Sequence, residues 1–202
     1  MPRLADHEVR RGQVIAAARR VIVRGGLGAA TFQAVAAEAG MSVRLVQYYF
    51  GTKKEFLLGT LDDVIRVIAV RFTEQLGALD AEPDPRTALR TIGRALLPLD
   101  DVRRDEALIL TAYQAARLIG DPPVPAETLA PNRLLVRTLA AHVHRARGGD
   151  PGAAAASELD AELLATLIVG MSQSLLAGAL SADGTAALLD HAVDRVLAAG
   201  ER

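Results

Sequence analysis

The sequence predicts an all-α protein of about nine helices, a small three-helix head at the N-terminus and a larger helical bundle after it. Three observations carry that expectation. Half of the 202 residues are apolar while aromatics make up only 3%, so the core must come from Ala, Leu, Val and Ile, with the strong helix formers in the lead. Apolar residues recur at steps of three and four, and no stretch alternates strictly as a strand would. Gly, Pro and Asp cluster between these periodic segments, where helices have to stop.

The elements follow in order. Arg10–Arg24 is an amphipathic helix with Val14, Ala17, Ala18, Val21 and Ile22 on one stripe, ended by Gly25-Gly26. Thr31 can cap a short second helix, Phe32–Ala39, by accepting a bond from an orphan backbone N–H. Gly40 supplies the tight turn, and Ser42 caps a third helix through about Tyr49. Gly51-Thr52 break it, and Thr52 opens a long fourth helix, Lys53 to Leu79. The run Asp80-Ala81-Glu82-Pro83-Asp84-Pro85 marks the internal boundary, because proline ends helical continuity. Helices at Arg86–Leu97, Arg103–Ile119, Ala126–Arg147, Glu158–Leu180 and Thr185–Ala199 follow, separated by breaks at Gly120–Pro125 and Gly148–Gly152. Ser157 with Asp160 three residues on resembles a capping box at the penultimate helix.

Charge is unevenly placed. Residues 1–54 hold nine Lys/Arg against three Asp/Glu, a net +6, which leaves −7 for the rest of a chain whose total is −1. A basic head on an acidic body points to a polyanionic partner for the head. Within that head, Thr31 to Leu58 has the parts of a helix-turn-helix. Ala36 is small where two helices cross, Gly40 makes the turn, and Phe32, Val35, Met41, Val46 and Phe50 are spaced to share a core. Val43, Arg44, Gln47 and Tyr48 fall on the opposite face of the third helix, and an Arg, a Gln and a Tyr displayed together suit a DNA major groove.

Residues 10–58 resemble the DNA-binding head of TetR-type regulators. The resemblance rests on Thr31 opening helix two, Ala36, Ala39-Gly40-Met41-Ser42 at the turn, the pair Tyr49-Phe50, and Lys53 before an apolar run. It implies a DNA-binding domain at residues 1–52 and a ligand-binding and dimerisation domain at 53–202. It also implies phosphate contacts for Thr31, Ser42, Tyr49 and Lys53, and base-facing positions for Val43, Arg44 and Leu45, with Gln33 and Tyr48 nearby. Gln47 stands where the family usually has tyrosine, so it is expected to contact either a phosphate or an adenine. Leu45 is either packing or a thymine-methyl contact.

For the body, the resemblance implies a homodimer formed through the last two long helices and an apolar effector pocket before them. Leu163, Leu167, Gly170, Met171, Ser174, Ala177 and Gly178 on one helix, with Leu189, Val193 and Val196 on the other, are the expected dimer residues. Tyr113, Gln114, Arg117 and His142 are the candidate polar anchors for a small effector. An enzyme is not expected. His142 and His144 are two apart and face different ways on a helix, so no metal site or cofactor is expected, and Gly26-Leu27-Gly28 follows a helix where the dinucleotide fingerprint needs a strand. The remaining alternative is a DNA-binding protein without an effector. Cysteine is absent, the first residues lack an apolar leader, and charges are expected to interrupt every apolar stretch before it could span a bilayer. The expected partners are therefore double-stranded operator DNA, a small molecule and a second copy of the chain, with no membrane, in the cytoplasm.

Overall fold

The computed structural model describes residues 2–78, 83–120 and 133–199. Among them are nine α-helices and no strand: α1 (Pro2–Ala29), α2 (Phe32–Ala39), α3 (Val43–Phe50), α4 (Lys53–Gly77), α5 (Pro85–Leu96), α6 (Asp101–Leu118), α7 (Arg133–Ala146), α8 (Ala154–Leu176) and α9 (Ala182–Ala199). The expected end of the fourth helix at Leu79, the residues Asp80–Glu82, the break at 121–125 and the helix start at Ala126 lie outside the described residues. The chain packs as two compact units, Met1–Val67 with Asp105–Ala130 and Ile68–Arg104 with Pro131–Arg202.

In the first unit, α1 starts eight residues before the expected Arg10. Apolar periodicity could not find that first part, where Arg3, Asp6, His7 and Glu8 leave no apolar stripe in the sequence. The break at Gly25-Gly26 is real: Gly26 has φ 70° and ψ −176°, a conformation only glycine takes without strain, and a short helical segment resumes to Ala29. The predicted stripe of Val14, Ala17, Ala18, Val21 and Ile22 is buried throughout. It meets Val35 and Ala36 of α2, while Val46 and Phe50 of α3 and Phe56 of α4 are buried in the same unit. Phe56 lies 5.3 Å from the Phe32 ring and 6.5 Å from that of Phe50, both in tilted or edge-on geometry. Arg19 of α1 bonds Asp63 of α4 at 3.2 Å and reaches the buried Glu106 of α6 at 3.7 Å.

The second unit is built from α5, α7, α8 and α9 around Leu89, Ile92, Leu139, Val143, Leu164, Ile168, Met171, Leu189 and Val193. Helices α5 and α9 come close because α5 has Gly93 where they cross: a β-carbon there would stand 2.6 and 2.7 Å from the two methyls of Leu189. Outside this contact runs a ladder of charge. Arg90 bonds Asp194 at 2.9 Å, Arg94 bonds Asp190 at 2.7 Å, and Arg86 also bonds Asp194.

Two expectations need correcting here. Ser157 does not open the penultimate helix. Asp150 caps a short 3-10 turn, Pro151–Ala153, and α8 continues directly from it. Ser157 is one turn inside, buried, donating to the Ala153 carbonyl at 2.8 Å, and Asp160 pairs with Arg147. Nor do charges interrupt every apolar stretch: 151–176 is long and apolar enough by length and composition to cross a membrane. Ala161, Leu164, Ile168 and Met171 on this segment are buried in the unit's own core, while Leu159, Leu163 and Val169 are exposed.

Candidate nucleic-acid interface

Helices α2 and α3 and the turn between them are fixed by three backbone and cap bonds. Gly40 takes the left-handed conformation (φ 64°, ψ 32°), and the Met41 N–H donates to the Ala36 carbonyl at 2.9 Å. Thr31 Oγ1 accepts from the Ala34 N–H at 3.1 Å, and Ser42 Oγ accepts from the Leu45 N–H at 3.2 Å. Both hydroxyls therefore act as acceptors toward their own helices, and their protons stay free to donate outward. Each sits at a helix N-terminus, where unsatisfied N–H groups and the helix dipole attract anions.

The next helix starts in the same manner. Thr52 and Glu55 form a reciprocal capping box: Glu55 Oε2 accepts from the Thr52 N–H at 2.8 Å, and Thr52 Oγ1 accepts from the Glu55 N–H at 3.2 Å. Lys53 and Lys54 follow at once, both exposed. Three consecutive helices thus begin with capped, donor-rich ends carrying Thr31, Ser42 and Lys53.

On α3 the structure separates the expected residues by exposure. Arg44, Gln47 and Tyr48 are exposed, Tyr48 by 73%. Val43, Leu45 and Tyr49 are half-buried, and Gln33 on α2 is exposed. Tyr49 is held by His7, whose ring centre is 4.7 Å away, and by Tyr48 at 5.4 Å. Arg11 anchors the end of α3, bonding the Tyr49 carbonyl at 3.2 Å with its guanidinium 4.3 Å from the Phe50 ring centre. Arg11 and His7 were missed by sequence reasoning. Nothing local signals them, since they act across 38 and 42 residues.

Arg20 and Arg24 both bond Glu38, whose carboxyl is held below its ordinary 4.5 first by the Arg20 hydrogen bond and then by that of Arg24. Arg19 is engaged with Asp63 and Glu106. These three cations are paired with carboxylates, and Arg44, Lys53 and Lys54 are exposed.

The four candidate effector anchors are divided between the two units. Tyr113 is fully buried, and its hydroxyl donates to the Leu57 carbonyl at 2.6 Å. Burial, and then the Asp62 charge, hold that phenol far above its ordinary range. Gln114 and Arg117 are exposed on α6. His142 belongs to the other unit, half-buried, with Nδ1 3.1 Å from Arg145, and burial followed by that cation lowers its pKa. Among the expected dimer residues, Leu163, Gly170, Ala177 and Gly178 are exposed and Leu167 and Ser174 half-buried. Met171, Leu189, Val193 and Val196 instead point into the protomer's own core.

A family model described as bacterial regulatory proteins, tetR family, matches residues 14–60. The HTH-type transcriptional regulator BetI of Paraburkholderia phytofirmans is 33% identical over 208 residues, covering 100% of both chains. BetI of Burkholderia ambifaria (strain MC40-6) is 38% identical over 92 residues, a match that spans 46% of each chain. Among solved structures, a transcriptional regulator from Rhodococcus sp. Rha1 has a TM-score of 0.76 at 24% identity, covering 94% of this chain and 96% of that one. A regulator from Saccharomonospora viridis, solved in complex with choline, has a TM-score of 0.76 at 23% identity, covering 91% and 95%.

Proposed function

The chain belongs to the tetR family of bacterial regulatory proteins, and from that premise we propose that it is a one-component repressor, cytoplasmic, which binds a palindromic operator as a homodimer and releases it when a small, largely apolar effector binds. As a member of this family it is a DNA-binding transcriptional regulator and not an enzyme. The observation that carries the finer reading is α3, which presents Arg44, Gln47 and Tyr48 outward between helix ends suited to phosphate. Phosphate bonds from Thr31, Ser42, Tyr49 and Lys53 set register, while Arg44, with Gln47 or Tyr48, selects bases.

Residues 1–52 form the DNA-binding part and 53–202 the part that binds ligand and dimerises. Dimerisation is supported by exposed apolar side chains on the last two helices: Leu159, Leu163 and Val169 on α8 and Leu188 on α9. An isologous four-helix contact would cover them. A structural neighbour holds choline. This chain has only Phe72 and Tyr113 as aromatic rings beyond Phe56, and Tyr113 is already buried and bonded. Few rings remain to surround a quaternary ammonium, which supports an apolar effector.

The test is selection from randomised duplex DNA at two salt concentrations. The expected result is a palindrome with half-sites about 34–36 Å apart. Arg44→Ala should relax the selected site at a cost of roughly 1–3 kcal/mol for a bidentate base contact. An unchanged site preference in that variant would overturn the assignment of α3, and no retention at low salt would overturn the regulator reading.

A further inference from the structure

The first compact unit contains a cavity that neither DNA recognition nor the core accounts for. It has a volume of about 730 Å³, within the range of pockets that hold small ligands. Its floor is the buried Leu57 of α4, and one wall is the second half of α6, where Ala112, Ala116 and Ile119 face it. The Gly26–Gly28 stretch closes another side with little side-chain bulk besides Leu27. The charged side chains of the lining are Lys53 and Lys54, both exposed, and no carboxylate takes part. Neither lysine forms an ion pair among the described residues. None of the four effector anchors read from the sequence lines it.

We propose that this cavity is a binding site for an amphipathic anion, a hydrocarbon chain ending in a carboxylate or similar acidic group. The hydrocarbon lies on Leu57, Ala112, Ala116 and Ile119, and the anionic end is held by Lys54 and Lys53 at the mouth. The chemistry of the lining argues for this occupant. A DNA phosphate could meet the lysines but has nothing to lay on an aliphatic floor. A cation meets two like charges, and a neutral apolar molecule leaves both ammonium groups unused. Because Lys53 is also the lysine assigned to operator phosphate, the bound anion and the DNA backbone compete for one ammonium group. Ligand release of DNA is then a direct exclusion at α4. This deepens the ligand-responsive part of the proposed function and rests on it only for that consequence.

The site itself is tested without DNA. Octanoate, octanol and octyltrimethylammonium, equal in chain length and different in charge, are titrated calorimetrically into the full chain. Octanoate is expected to bind, the alcohol about two- to fivefold more weakly, as befits exposed ion pairs, and the cation more weakly still. Lys54→Ala should bring octanoate toward the alcohol's affinity, and Ala116→Phe, which sets a ring on the wall where the hydrocarbon lies, should weaken octanoate binding. Should Ala116→Phe melt early, methyl NMR of the unmutated protein takes its place, with octanoate shifting Leu57 and Ala112. Equal binding of the three probes, or shifts confined to other residues, would overturn the proposal. Neither result touches the operator reading, which stands or falls by DNA selection.

Discussion

Gly93→Ala sets two effects of opposite sign against each other. Replacing a mid-helix glycine by alanine normally stabilises by roughly 0.5–1 kcal/mol, because the unfolded chain loses freedom. Here the new β-carbon would lie 2.6 and 2.7 Å from the Leu189 methyls and 3.2 Å from its Cγ. Carbon atoms in contact settle at about 3.5–4.0 Å, so the helices or Leu189 must give by roughly 1 Å. Leu189 is 1% exposed and shares its cluster with Leu89, Ile92 and Val193, so both methyls cannot retreat together. Overpacking of that kind costs about 1–3 kcal/mol. The clash therefore outweighs the propensity gain, with a net loss of roughly 1 kcal/mol and a fall in melting temperature of about 2–4 °C for a chain this long. Urea unfolding at fixed protein concentration measures it through the midpoint. A second arm makes the cause specific: in Gly93→Ala with Leu189→Ala, the new methyl enters the space the leucine vacates. The double variant should then be more stable than the sum of the single losses by about 1 kcal/mol or more. A rise in midpoint for Gly93→Ala, or strict additivity in the cycle, would refute the close approach of α5 and α9.

Three further outcomes are expected. Lys53→Ala should weaken binding to all DNA sequences alike and flatten the salt slope by about one unit, measured by fluorescence anisotropy at several salt concentrations. Tyr113→Phe removes a buried donor from the Leu57 carbonyl and should lower stability by about 0.5–1.5 kcal/mol, read by thermal unfolding. Glu38 is depressed in the fold by Arg20 and then Arg24, so its contribution is present above its unfolded pKa of 4.5 and is lost as pH falls below that value. Glu38→Gln should make the melting temperature of the protein less sensitive to pH between about 5 and 3, and an unchanged pH profile would contradict the pairing.

Much of the head was legible because its signals are local. Thr31, Gly40 and Ser42 each act within a few residues of their position, and α2 spans Phe32–Ala39 as its caps predict. Where the partner is distant, sequence was silent: Glu38 lies 18 and 14 residues from the two arginines it holds, and the head's net charge overstated what faces outward. Ser157 and Asp160 show a different limit. Ser-x-x-Asp reads the same whether it caps a helix or sits inside one, and the helix-forming Ala154–Ala156 before it extend α8 past the apparent start. The dimer residues were hard to assign for a related reason. Helix α8 is apolar nearly all round, so periodicity gave no means of telling the face that meets α7 and α9 from the face left exposed at Leu159, Leu163 and Val169.

The charge ladder between α5 and α9 has a property that its individual bonds do not reveal. Arg86, Arg90 and Arg94 recur every four residues, as do Asp190 and Asp194. A scale with equal divisions has no zero mark. Slide α9 by one helical turn along α5, and each aspartate still finds an arginine. The electrostatics of this contact are nearly indifferent to which of two registers is adopted. Selection between them falls to Gly93, a single notch that accepts Leu189 and has no counterpart one turn away, where Leu89 and Leu97 stand.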